Sequence, residues 1–158
     1  MTSRLARSVR REPRSDTSTP TARPPSPLPL VDLAEAVRRA VATRRAVRAG
    51  AELERPTYDR LGSWLLVVEA PESVQPSAVH PAVADLLDPA RDDLRSTAWA
   101  VLELGGDVTA AAGRLHLHRT TLYYRLDRIR DITGVDLRDP AGRADLHAAL
   151  RLAAYRSA

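Results

Sequence analysis

Residues 107–134 read DVTAAAGRLHLHRTTLYYRLDRIRDITG, and this stretch decides the fold. Apolar side chains at Val108, Ala111, Ala112 and Leu115 have the spacing of one buried helix face, with Asp107 or Thr109 placed to cap its start. After His116, Leu117 and His118, a second stripe runs through Leu122, Leu126 and Ile129 and stops near Gly134. Two short helices joined by three residues have the spacing of a helix-turn-helix. Helices that cross steeply approach closely only where a small residue sits at the contact, and Ala111 and Ala112 supply it. Leu115, Leu117 and Leu122 then fill the wedge. The turn needs one residue with positive φ, a place that falls to His116, and His tolerates that conformation better than most non-glycine residues, at about 1 kcal/mol.

The second helix carries the candidate site. Its first residues, His118, Arg119, Thr120 and Thr121, form the end that a recognition helix presents to base edges in a major groove, and backbone N–H groups at that end favour phosphate. His118 reads as the N-cap. At 100° per residue, Thr120, Tyr123, Tyr124 and Asp127 lie opposite the apolar stripe and face outward. Arg119 stands at the tip, where a guanidinium can reach guanine O6 and N7, or else pairs with Asp107 or a phosphate. Arg128, farther along, reaches backbone phosphate only. Between Val108 and Asp131 five arginines (114, 119, 125, 128 and 130) face only Asp127 and Asp131, so the segment is locally basic.

Outward from this core, Asp88-Pro89 and Asp139-Pro140 each place Asp at an N-cap and Pro at the first helical position, and both are expected to start helices. The first helix shows Leu94, Ala98, Val101 and Leu102 and ends at Gly105-Gly106. The second carries Leu146, Ala149, Leu150 and Ala153 on one face. Upstream, Leu33, Ala36, Val37, Ala40 and Val47 predict a helix from Val31 to about Ala49, ended by Gly50. Leu61 to Val68 fits a helix or a buried strand. Residues 70–81, with prolines at 71, 76 and 81, read as a linker, and a short helix is expected over Val83 to Leu87.

The chain has 158 residues, 24 of them basic and 20 acidic, for a net charge of +4. Every basic residue is Arg, which reads as coding bias more than as a device for binding phosphate. Residues 1–30 hold six arginines against Glu12 and Asp16, which accounts for the whole excess, so everything beyond is neutral overall. Any DNA-binding surface must therefore come from local sorting of charge. Six of the twelve prolines also fall in this stretch, which has too little apolar surface to offset ordering entropy. It is expected to be a disordered arm, either a passive tail or a phosphate-touching one. The absence of Cys excludes disulfides, thiolate metal sites and a Cys nucleophile. No run of residues is apolar and long enough for a membrane span, so the expectation is a cytoplasmic protein without membrane association.

The string GGDVTAAAGRLHLHRTTLYYRLDRIRDITGVDLRDPAGRADLHAALRL, residues 105–152, resembles the C-terminal helix-turn-helix domain of PucR-family regulators, which include CdaR-type sugar-diacid regulators. Over the shorter HRTTLYYRL stretch it also resembles the DNA-bending protein Fis. LGSWLLV (61–67) and VHPAVADLLD (79–88) look like what precedes that domain in the family. The resemblance implies a transcription regulator that binds double-stranded DNA through His118, Arg119, Thr120, Thr121, Tyr123, Tyr124 and Arg128. In two respects the chain departs from the pattern. Family members place Arg and Tyr after the Thr-Leu pair, where this chain has Tyr123 and Tyr124, so a different DNA sequence should be read. They are also much longer, with an upstream ligand-sensing region and a GGDEF-like domain, so this chain reads as a shortened regulator.

The fold expected is mainly α: a small helical bundle containing a helix-turn-helix, preceded by a disordered N-terminal arm. Residues 1–30 form the arm, 31–78 a helical segment and linker resembling the end of a GGDEF-like domain, and 79–158 the DNA-binding domain. A homodimer on two half-sites is expected, because one small reading unit buries too little surface for specific binding. The alternative is a protein-interaction module, or a truncated regulator that associates with a longer family member. No cofactor, metal site or catalytic residue is expected. His116, His118 and His147 lack a ligand set at any recognised spacing, and Asp88, Asp92 and Asp93 read as acids opposing a helix dipole. The effector is not legible in the sequence.

Overall fold

A computed structural model describes residues 30–158, with side chains from residue 32 on. The arm expected over residues 1–30 lies outside the described residues, except for Leu30. The described chain is helical throughout: α1 (Leu30–Arg48), α2 (Trp64–Val68), α3 (Pro76–Val79), α4 (Val83–Leu86), α5 (Asp92–Glu103), α6 (Val108–Leu115), α7 (Arg119–Thr133) and α8 (Arg143–Ser157), with 3-10 turns at Tyr58–Arg60 and Pro89–Arg91.

One hydrophobic core joins α4 to α8. Val83 and Leu86 meet Ala98 and Val101 of α5, Ala111 of α6, Leu122, Leu126 and Ile129 of α7, and Leu146 and Leu150 of α8. Each large apolar side chain buried this fully contributes about 1.5–3 kcal/mol, so α7 is fixed along its whole inner stripe. Where α6 packs on α5 and α7, the fully buried small residue is Ala111; Ala112, Leu115 and Leu117 pack around it only partly covered.

A second cluster holds the upstream segment to the same body. Ala46 of α1, Ala51, Leu61, and Trp64 and Val67 of α2 close on Leu152 and Tyr155 of α8. The terminal helix thus buries one side in each cluster, where the sequence pattern suggested a single face. The stretch 61–68, ambiguous by periodicity, is helical over Trp64–Val68, with Trp64 and Val67 buried. Gly50 ends α1 at φ +110°, and a Cβ there would stand 2.8 Å from the Trp99 ring, so only glycine lets the chain turn against α5.

Two local expectations change. Residues 70–81 are not a bare linker: Pro76 opens the short helix α3, which packs on α8. Asp139 caps only a single turn, its Oδ1 accepting from Ala141 N at 3.0 Å, because Gly142 then adopts φ +75° and α8 starts at Arg143. Asp88 behaves similarly: its Oδ1 accepts from Ala90 N, capping a 3-10 turn that runs directly into α5.

Candidate nucleic-acid interface

Asp107, not Thr109, caps α6, its Oδ1 accepting from Ala110 N at 2.9 Å. The helix ends at His116 with φ 53° and ψ 37°, the left-handed conformation its position requires. Leu117 N donates to Ala112 O at 3.0 Å across that residue and locks the reversal. His118 returns to extended geometry at φ −66° and ψ 140°, and its Nδ1 accepts from Thr120 N at 3.3 Å. These bonds aim the start of α7 away from the body. Because His116 pays the left-handed penalty, His116→Gly should raise the unfolding free energy by about 1 kcal/mol in urea titrations. A loss of stability there would mean that the imidazole makes a compensating contact.

His118, Arg119, Thr120 and Thr121 form one continuous exposed end. Along the same outer face Tyr123 and Tyr124 are 45% and 66% exposed, so both rings are available for contact. Asp127 is only half-buried and is occupied, taking Arg138 at 3.1 Å and Arg130 at 3.7 Å.

The local excess of positive charge is mostly spent within the molecule. Arg114 pairs with Glu52 beyond α1. Arg125 spans to α5, with its Nε 3.4 Å from Asp93 Oδ2 and its Nη1 donating to the buried Thr97 hydroxyl at 3.3 Å. Arg128 meets Asp131 at 3.5 Å, and Arg130 lies between Asp127 and Asp136. Among the described residues Arg119 alone of the five makes no ion pair; Asp107, its possible partner in the sequence, is occupied by capping. Partners such as Glu52, Asp93 and Asp136 lie outside the segment, which is why counting charge within it overstated the free charge.

Residues 135–142 brace the second half of α7 through Arg138–Asp127 and Arg130–Asp136. Arg138 holds Asp136 at 2.8 Å, and its guanidinium keeps the Asp136 carboxyl at about 2. Arg143 donates through Nη1 to Gly105 O at 2.9 Å and so ties the start of α8 to the turn before α6. Farther back, Glu103 accepts from His147 and Arg151, an arrangement that sequence reasoning did not find. His147 is thereby accounted for separately from His116 and His118. Its only sequence signal is that His147 and Arg151 lie four residues apart on one face of α8; nothing in the sequence points to a carboxylate on α5.

Residues 94–152 match the PucR C-terminal helix-turn-helix domain. An uncharacterized Bacillus subtilis protein, YxkF, is 29% identical over 91 residues, a stretch that is 58% of this chain and 30% of the relative. Uncharacterized proteins of Mycobacterium tuberculosis and Mycobacterium bovis are 42% identical over 77 residues, 49% of this chain and 18% of theirs. The matched stretch therefore spans less than a third of each of these relatives. No solved structure matches the chain.

Proposed function

We propose, from the PucR C-terminal helix-turn-helix domain that residues 94–152 carry, that this chain is a sequence-specific transcription regulator that reads duplex DNA with α7. The observation that carries the reading is the exposed start of α7, where Arg119 stands without an ion pair among the described residues while the other four arginines of the motif are held by carboxylates. A free guanidinium at the tip of a braced helix pays no cost in broken pairs on meeting guanine. Thr120 and Tyr123 follow it along the groove-facing side, and the amides of the first turn, with Thr121, suit a phosphate. Tyr124 and Arg128 flank the strand. The function requires neither a cofactor nor catalysis, and places the protein in the cytoplasm with the genome.

Arg128 has a lesser part. Its pair with Asp131 is exposed on both sides and is worth little, so a phosphate readily takes Asp131's place. Arg128→Ala should weaken cognate and scrambled duplexes alike and lower the slope of log K against log salt by about one unit, measured by fluorescence anisotropy at several salt concentrations. A change confined to the cognate duplex would give Arg128 a reading role instead.

Selection from a random duplex library, with the protein's fold verified by circular dichroism, tests the function. A single enriched site, or two half-sites about 34 Å apart, is the expected outcome. No enrichment at low salt would overturn the reading and leave these helical surfaces to protein association.

A further inference from the structure

A cavity of about 540 Å³ lies between α5, α6 and α8, with Ala49 at the end of α1 and Leu87 at the end of α4 on its walls. That is the size of a small-molecule site, roughly 300–1,000 Å³. Small side chains make the space: Ala153, Ala154 and Ser157 of α8 face it from one side, and Ser96 and Ala100 of α5 from another. Trp99 is the only aromatic residue on the wall, and its neighbours hold it in place. Gly50 lies against the edge of the indole, while the rings of Trp64 and His147 stand with their centroids 6.2 Å and 6.5 Å from its own. A wall fixed in this way gives a cavity formed before any ligand arrives.

The lining is sorted by depth. Ala100, Leu150 and Ala153 are buried and form an apolar floor, and Leu87 and Leu115 are half-buried beside it. Two guanidiniums, Arg95 from α5 and Arg114 from α6, stand at the mouth, and among the described residues no carboxylate lines the cavity. Each arginine has a partner outside it, Asp92 for Arg95 and Glu52 for Arg114, but those carboxylates are 65% and 73% exposed. Pairs so open to water are worth little, so an anion in the cavity can displace them.

An apolar floor, an aromatic wall and two cations at the mouth select a ligand with an apolar body and an acidic head. We propose that this cavity is a binding site for a small amphipathic carboxylate, its chain or ring against Trp99 and Leu150 and its head at the mouth, where a guanidinium offers a charge-assisted pair. Residues 1–30, with six arginines against two acids, carry the same sign as the mouth and are poor occupants. Arg114 and Leu115 are the last residues of α6 before the left-handed His116 that aims α7, so an occupant touches the segment that sets the reading helix. The site itself stands independently of the DNA reading.

Octanoate and octanol, which share a chain and differ in the charged head, test the site in the full-length protein without DNA. Isothermal titration calorimetry should show octanoate binding saturably, one molecule per chain, and about tenfold more tightly than octanol. In NMR spectra the Trp99 indole N–H and the amides of Leu115 and Ala154 should shift. The double variant Arg95→Gln with Arg114→Gln should erase the preference for octanoate and leave the affinity for octanol as it was. Ala154→Trp, which fills the space, should remove the binding of both; if it fails to fold by circular dichroism, Ser96→Trp at the exposed edge of the cavity makes the same test. No saturable binding of octanoate at millimolar concentration overturns the proposal, as does equal affinity for octanol in the parent. Binding that survives the filling of the cavity, or shifts confined to other helices, would place the ligand elsewhere and overturn it too.

Discussion

Glu103→Ala is expected to cost about 3 kcal/mol of folding free energy, the largest loss from any single side chain outside the apolar core. Glu103 closes α5 and accepts three hydrogen bonds from α8: from His147 Nε2 at 2.8 Å, Arg151 Nε at 2.9 Å and Arg151 Nη2 at 2.9 Å. All three side chains are mostly buried. Removing the carboxylate strands the Arg151 guanidinium, which also donates to Ser63 at 2.8 Å and lies over the Trp64 ring at 4.9 Å. The damage therefore spreads from α5 and α8 into α2, the junction between the upstream segment and the helix-turn-helix. The cluster retains some solvent access, which places the cost at the low end of the range for broken buried pairs. Urea denaturation of the variant checks this, and a loss below about 1 kcal/mol would mean that water already screens the cluster.

The same group gives the fold an acid limit. Burial pushes the Glu103 carboxyl up, but the hydrogen bonds from His147 and Arg151 and the guanidinium charge outweigh it and hold the carboxyl at about 2. An unfolded Glu titrates near 4.3. The folded state thus binds the proton less readily, and the contribution of Glu103 is complete above about pH 5 and lost as the pH falls toward 2. Asp136, held at about 2 by Arg138, works in the same direction at the surface. Stability measured between pH 5 and pH 2.5 should fall more steeply in the parent than in Glu103→Gln, which cannot titrate there. Equal slopes would exclude Glu103 as a source of the acid limit.

What the sequence showed and what it hid divide along a physical line. Local rules placed α6, the turn and α7 almost residue by residue, because Asp107, His116, His118 and Gly134 each satisfy a demand made by their own backbone within a few residues. The start of α8 was misplaced for an equally local reason: Asp-Pro is a sound N-cap signal, but the left-handed Gly142 interrupts it three residues later. The partners of the arginines were beyond sequence reading. Glu52 lies 62 positions from Arg114, and Asp93 lies 32 from Arg125. No periodicity links such pairs, and they decide which cations remain without an internal partner. Nor could the exposed side of α1 be told from its buried side, since Ala and Val are spread around the whole helix and only docking on the Tyr58–Arg60 turn, α2 and α8 separates them.

Arg119→Ala is expected to lower affinity for the selected site by about 1–3 kcal/mol, roughly ten- to a hundredfold, and to flatten preference at one base pair. The expectation follows from where the side chain stands. His118 caps α7 through its own ring, which leaves Arg119 as the first helical residue, exposed and unpaired among the described residues, on a helix anchored by Leu122, Leu126 and Ile129. Truncating it breaks no internal ion pair, so stability should hold within about 0.5 kcal/mol, the ordinary range for a surface change. Arg125→Ala offers the contrast. It cuts the tie to Asp93 and Thr97 and should reduce stability and binding together, because the platform of α7 loosens. Titrating cognate and scrambled duplexes with both variants separates reading from attraction. A guanidinium that reads a base loses the cognate advantage and keeps most non-specific binding; one that merely attracts phosphate weakens both duplexes equally and shifts the salt slope. Equal losses for Arg119→Ala on the two duplexes would move the reading role to Thr120 and Tyr123, the next exposed residues along the same face.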